Sequence, residues 1–175
     1  SPNGEIGLQS WQGGMGRVGF WSPERPADVE WVESPDDLLW GLAFSPDGRH
    51  IAYSSDETGQ YEVWVRPREA GSNARQVSFN GGMAPVWCAC NEIFFRRRNQ
   101  FFSAVVSPGA DLEWGTPTMA FEVPGFIDTM GISYDVSSDG QLLYTMKRAE
   151  ASIDGRIHLI SNWFEKLKRR VPTGR

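Results

Sequence analysis

Apolar and polar positions along the chain follow a short rhythm that recurs four times. Ser45-Pro46-Asp47-Gly48 is followed by two polar residues and then by Ile51-Ala52-Tyr53-Ser54. Ser137-Ser138-Asp139-Gly140 leads to Leu142-Leu143-Tyr144-Thr145, and Ser1-Pro2-Asn3-Gly4 leads to Ile6-Gly7-Leu8-Gln9. A degraded copy, Cys88-Ala89-Cys90-Asn91, precedes Ile93-Phe94-Phe95. The copies begin at residues 1, 45, 88 and 137, so they lie 44, 43 and 49 residues apart. Asp-Gly or Asn-Gly between apolar runs predicts a hairpin, because the turn needs positive φ and glycine adopts it without steric cost. The apolar strands Leu42-Ala43-Phe44, Pro85-Val86-Trp87 and Tyr134-Asp135-Val136 precede three of the turns.

Later positions repeat as well. Arg17–Pro23, Tyr61–Pro67 and Phe102–Pro108 each read as a strand closed by proline, which cannot continue a ladder. A further strand is predicted near 28–32, 75–79 and 118–123. Each unit is thus an inner strand, an Asp-Gly turn, a second strand, a loop, a third strand, a Pro turn and an outer strand. A period of this length is that of a four-stranded propeller blade. The expected fold is all-β: a partial β-propeller of about 3.5 antiparallel blades. Its units are 1–37, 38–82, 83–125 and 126–162 within one domain, and a short helix follows over 162–171. In that helix Asn162 and Glu165 fit a capping box, Lys166, Lys168, Arg169 and Arg170 favour its C-terminal end, and Trp163, Leu167 and Val171 share one face.

The stretch from Leu42 to Pro67 resembles the WD40-like repeat of TolB-type β-propellers. The stretch from Tyr134 through Asn162–Lys168 resembles the C-terminal end of propellers attached to bacterial serine/threonine kinases and related regulators. This resemblance implies a non-catalytic module for protein or ligand recognition, the sensor or scaffold part of a bacterial regulatory protein. The alternative is a propeller that gates substrate access to a hydrolase of the prolyl oligopeptidase type. The family leans towards an extracytoplasmic location, with the cytoplasm left open. The first unit lacks an inner strand and the last an outer one. We therefore expect a fragment or natural half of a larger ring, two copies joining through open blade edges into roughly eight blades.

Composition narrows the partners. The chain has 175 residues, eight tryptophans and ten phenylalanines, and a net charge of −5. That charge disfavours a nucleic-acid partner. No apolar run is long enough to span a membrane as a helix, and the first residues are not a signal peptide. Cys88 and Cys90 are two apart, poor geometry for a mutual disulfide, so they are expected to replace the Ser and Asp of the turn.

Catalytic patterns are missing: there is no G-x-S-x-G, P-loop or H-E-x-x-H motif. His50 and His158 read as structural, and Asn3, Asp47 and Asp139 as turn formers, so no enzyme activity and no cofactor are expected. Neither Asp36-Asp37 nor Asp56-Glu57 has the oxygen spacing of a calcium loop. Arg96-Arg97-Arg98 reads as a solvated turn. Binding is expected on the face where the loops entering the inner strands meet those between second and third strands. The candidate residues there are Trp40, Asp56, Glu57, Gln60, Asn80, Met83, Asp128 and Met130. Trp40, Met83 and Met130 hold equivalent places just before the inner strands, where large apolar groups either contact a partner or fill the channel.

Overall fold

Consecutive strands pair in antiparallel fashion into four sheets. A computed structural model describes residues 1–12, 14–32, 38–69, 73–107, 112–124, 126, 132–141 and 143–145. The first sheet joins β1 (Ile6–Gln12), β2 (Met15–Ser22) and β3 (Arg25–Trp31). The second runs β4 (Leu39–Phe44), β5 (His50–Ser55), β6 (Glu62–Pro67), β7 (Arg75–Gln76). The third holds β8 (Met83–Cys88), β9 (Glu92–Arg97) and β10 (Gln100–Ser107), with both β11 (Glu113–Trp114) and β12 (Thr118–Glu122) on the outer side of β10. The last is β13 (Tyr134–Val136) with β14 (Leu143–Thr145). The third sheet is therefore five-stranded rather than four: β10 is long enough for β11 to pair with Val106 and Ser107 while β12 pairs from Gln100 to Ser103. The predicted helix over 162–171, the strand over 156–160 and His158 lie outside the described residues.

The recurring turn is one hydrogen-bond device. The Ser45 hydroxyl donates to Asp47 Oδ1 at 2.6 Å and accepts from the His50 amide at 2.9 Å, while Asp47 Oδ1 also accepts from the Arg49 amide at 3.0 Å. Gly48 sits at φ +70° and donates to the Ser45 carbonyl at 2.9 Å. Ser137, Asp139 and Gly140 repeat these contacts, with the Gln141 amide on Asp139 Oδ1 at 3.1 Å. At the third turn the two cysteines are not free, as the sequence led us to expect, but joined. Their Cα atoms are 5.2 Å apart, within the range of about 4.4–6.8 Å that disulfides occupy. The turn already draws the first and third side chains together, so a covalent bond stands where Ser45 and Asp47 share a hydrogen bond.

The Ser45 hydroxyl holds the Asp47 carboxyl down to about 2, helped by the Arg49 amide and guanidinium against the opposing effect of burial. A lowered folded value means stability that is present above the ordinary 3.8 and lost as pH falls through about 2. The Asp47 side chain is 43% exposed, so solvent screening keeps this term below ~1 kcal/mol. We expect Asp47→Ala to cost about 1 kcal/mol. It should also flatten the acid limb of the stability curve, as urea titrations at stepped pH would read.

Three buried clusters lie between neighbouring sheets. Val18 and Val32 of the first meet Leu39, Ile51 and Tyr53 of the second. Ala52, Val63, Val65 and Val77 meet Ile93, Phe95, Ala104 and Val106 of the third. Phe94 and Phe101 meet Tyr134 and Val136 of the last. The Tyr134 hydroxyl donates to the carbonyls of Ala84 (2.6 Å) and Phe94 (3.1 Å), and burial pushes its pKa up. Both complete inner strands carry a bulge at the same place: Gly41 (φ +66°) in β4 and Ala84 (φ +54°) in β8.

Candidate functional site

The bulges decide what Trp40 and Met83 do. Each residue precedes a left-handed position, so the strand bends just beyond it. Trp40 is buried and packs edge-to-face on Tyr61, with ring centroids 6.2 Å apart. Met83 is half-buried against the same cluster. Asp56 is half-buried, and its Oδ1 accepts the Leu38 amide at 2.7 Å. Glu57 is exposed, with its amide on Ser55 Oγ at 3.2 Å. Asp128 and Met130 lie outside the described residues.

Gln60 and Asn80 come together in one cleft. It holds about 430 Å³ and is lined by Gln60, Asn80, Arg97, Arg98, Asn99 and Gln100. Three connections build it: the β5–β6 loop, the segment entering β8, and the two-residue link Arg98-Asn99 between β9 and β10. Its walls are fixed from below. Buried Glu62 accepts from Gln60 Nε2 at 2.8 Å, from the Gly81 amide at 2.7 Å and from the Ser78 hydroxyl. Ser78 Oγ in turn accepts the Val63 amide at 2.8 Å. The Arg97 guanidinium donates to the carbonyls of Gly81 (3.1 Å) and Phe79 (2.6 Å) and lies over the Phe102 ring at 4.6 Å.

The arginine run is corrected by these contacts. Arg96 is buried in β9 with its guanidinium 5.6 Å from the Phe126 ring centroid. Arg97 is half-buried on the loop carbonyls, and Arg98 alone of the three is exposed. Alternation along β9 sends Arg96 inward, where no solvated loop could hold it. Asn80 (φ +67°) and Arg98 (φ +56°) both adopt the left-handed conformation. Asparagine tolerates it; arginine holds it at a cost of about 1 kcal/mol. Chemically, the cleft offers amide groups and one exposed guanidinium, with no carboxylate in its lining. Arg98, Asn99 and Gln100 were missed in the sequence reading; their link is the repeat equivalent of the 56–60 loop, shortened to two residues.

His50 is buried at the foot of the Asp47 turn, and burial lowers its pKa. It stands apart from the residues that line the cleft.

No protein-family model matches the chain, and no curated protein sequence matches it. Among solved structures it is similar to TolB from Acinetobacter baumannii, with a TM-score of 0.57 and 17% sequence identity. The match covers 86% of this chain and 37% of that one. The chain therefore spans little more than a third of that neighbour's length. At this identity the likeness speaks for the fold alone: an all-β, TolB-like propeller architecture. It carries nothing about kinase-linked regulators.

Proposed function

We propose that the chain is a non-catalytic recognition module that binds an acidic peptide segment of a partner protein in the Gln60–Asn80–Arg98 cleft. The observation that carries this reading is the convergence of three loops on a cleft whose lining residues are two arginines and four amides, in a chain whose net charge is −5, with the Glu122 carboxylate just outside on Asn99 Nδ2 at 3.3 Å. Local cationic character on an acidic molecule marks a place where negative groups are received. Arg98 supplies a planar fork for a carboxylate, and the side-chain amides of Asn80 and Gln100 supply donors and acceptors for peptide groups, while Gln60 Nε2 is held by Glu62 and Asn99 Nδ2 by Glu122. Backbone held left-handed at Asn80 and Arg98 fits a site whose geometry matters more than its local stability. The TolB-like fold supports an interaction module, here read as the sensor or scaffold part of a bacterial regulatory protein. The Cys88–Cys90 disulfide supports an oxidising, extracytoplasmic compartment.

Anisotropy titration of a fluorescein-labelled octaglutamate peptide tests the reading. Arg98→Ala is expected to weaken binding about tenfold, and added salt to weaken it further. Absence of binding at low salt, or affinity unchanged in both Arg98→Ala and Asn80→Ala, overturns it.

A further inference from the structure

We infer that the Cys88–Cys90 bond is an exchange site for a dithiol reductant, with Cys90 as the sulfur that is attacked, and not a staple that holds the fold. A disulfide stabilises a protein by closing a loop of the unfolded chain, and the effect grows with loop length. This one closes a loop with a single residue, Ala89, between its ends. It therefore removes little freedom from the unfolded chain.

The repeat makes the same point. Ser45 and Asp47 close the second turn with a hydrogen bond, and Ser137 and Asp139 close the last in the same way. The third turn also has a tie that the disulfide does not supply. Asn91 holds φ +61° in the place of Gly48, and its carbonyl accepts the Val106 amide of β10 at 2.7 Å. Two cysteines thus stand where serine and aspartate make the same turn twice without a covalent bond. The two sulfurs also differ in access. Cys88 is 3% exposed and belongs to the cluster with Phe94, Tyr134 and Val136. Cys90 is half-buried at the edge of that cluster, beside the exposed Ala89. One side of Cys90 lies against the last turn, where a Cβ on Gly140 would stand 2.8 Å from its Sγ.

The exchange follows from that difference. A thiolate of the dithiol attacks Cys90 Sγ, the S–S bond breaks, and its electron pair leaves on Cys88 Sγ. The Cys90 amide donates to that sulfur at 3.1 Å, which favours the leaving thiolate against the charge of Glu92, its neighbour across the ladder. Cys88 then takes a proton. The second thiol of the dithiol, deprotonated, attacks its own partner sulfur in the mixed disulfide and expels Cys90 as a thiolate, which is protonated in turn. The dithiol has become a disulfide, and two electrons and two protons have passed to the two cysteines.

Titration of the native protein with dithiothreitol tests the proposal, with free thiols counted by alkylation and mass spectrometry and the fold followed by circular dichroism. Two thiols are expected to appear while the spectrum stays that of the folded protein. The direction of attack is read with an aromatic disulfide reagent. Cys88→Ser, which leaves Cys90, is expected to form the mixed disulfide about tenfold faster than Cys90→Ser, which leaves the buried Cys88. If either variant fails to fold, the glutathione adduct of the parent protein, trapped by acid and mapped by digestion, gives the same answer and is expected on Cys90. Three results overturn the proposal: a bond that resists excess dithiothreitol until the protein unfolds, thiols already free before any reductant is added, or attack at Cys88 as fast as at Cys90.

Discussion

Glu62→Ala is expected to destabilise the fold by about 3 kcal/mol and to undo the Gln60–Asn80–Arg98 cleft at the same time. Three donors converge on this buried carboxylate: the Gln60 side-chain amide, the Gly81 backbone amide and the Ser78 hydroxyl. Of the three, Ser78 is fully buried, Gly81 is half-buried and Gln60 is exposed. Ser78 Oγ is already the acceptor for the Val63 amide, and Gly82 passes so close to Ser78 that a Cβ there would lie 2.3 Å from its Oγ. Alanine removes the acceptor and leaves the buried Ser78 hydroxyl and the half-buried Gly81 amide unpaired, the expensive half of losing a hydrogen bond. Glu62→Gln keeps the volume and one acceptor oxygen but turns an NH2 group towards a donor, so its loss should be smaller, about 1–2 kcal/mol. Guanidinium titrations would rank the three proteins. Hydrogen exchange should show faster amide exchange at Gly81 and Gly82 in Glu62→Ala. A loss under ~0.5 kcal/mol with exchange unchanged would contradict this account.

Local chemistry is why so much of the fold is legible in the sequence. A Ser hydroxyl, an Asp carboxylate two residues on and a Gly at positive φ make the same turn wherever they occur, so the turns at Ser45 and Ser137 could be read without any tertiary knowledge. The cysteine turn was legible as a turn but not as a disulfide, because spacing along the chain says little about how far a turn folds the first and third side chains together. Arg96 was misread for the opposite reason. Its environment is set by Phe126 and Tyr134, thirty or more residues away, and a run of three arginines looks solvated when only neighbours in sequence are considered. The bulges at Gly41 and Ala84 were also invisible: glycine hinted at one, but alanine at φ +54° is a conformation imposed by packing. Of the six residues that line the cleft, Gln60 and Asn80 were among the binding-face candidates read from the sequence. The rest came from Arg98 to Gln100, whose equivalence to the earlier loop is hidden by a link of two residues in place of a longer one.

A charge pair that adds to the apolar cluster between the first sheet and the second carries the other large effect. Arg68 follows the Pro67 end of β6 and reaches across to Glu5, with which it forms an ion pair. The Glu5 side chain is 3% exposed. The same guanidinium stands 4.8 Å over the Phe20 ring, and Phe20 meets Phe44 edge-to-face at 6.0 Å. Arg68 therefore closes a charge pair and covers an aromatic contact between the two sheets. Arg68→Ala leaves the buried Glu5 carboxylate without its ion-pair partner, with the Ser1 hydroxyl still donating to Oε2 at 3.2 Å, and we expect it to destabilise the fold by about 3 kcal/mol. Removing both charges should cost less than removing one: Glu5→Gln with Arg68→Met keeps most of the volume and leaves no unpaired ion. A double-mutant cycle by denaturant unfolding measures the coupling. An Arg68→Ala variant as stable as the parent, or a double variant worse than Arg68→Ala alone, would show that the pair adds nothing to the contact between the sheets.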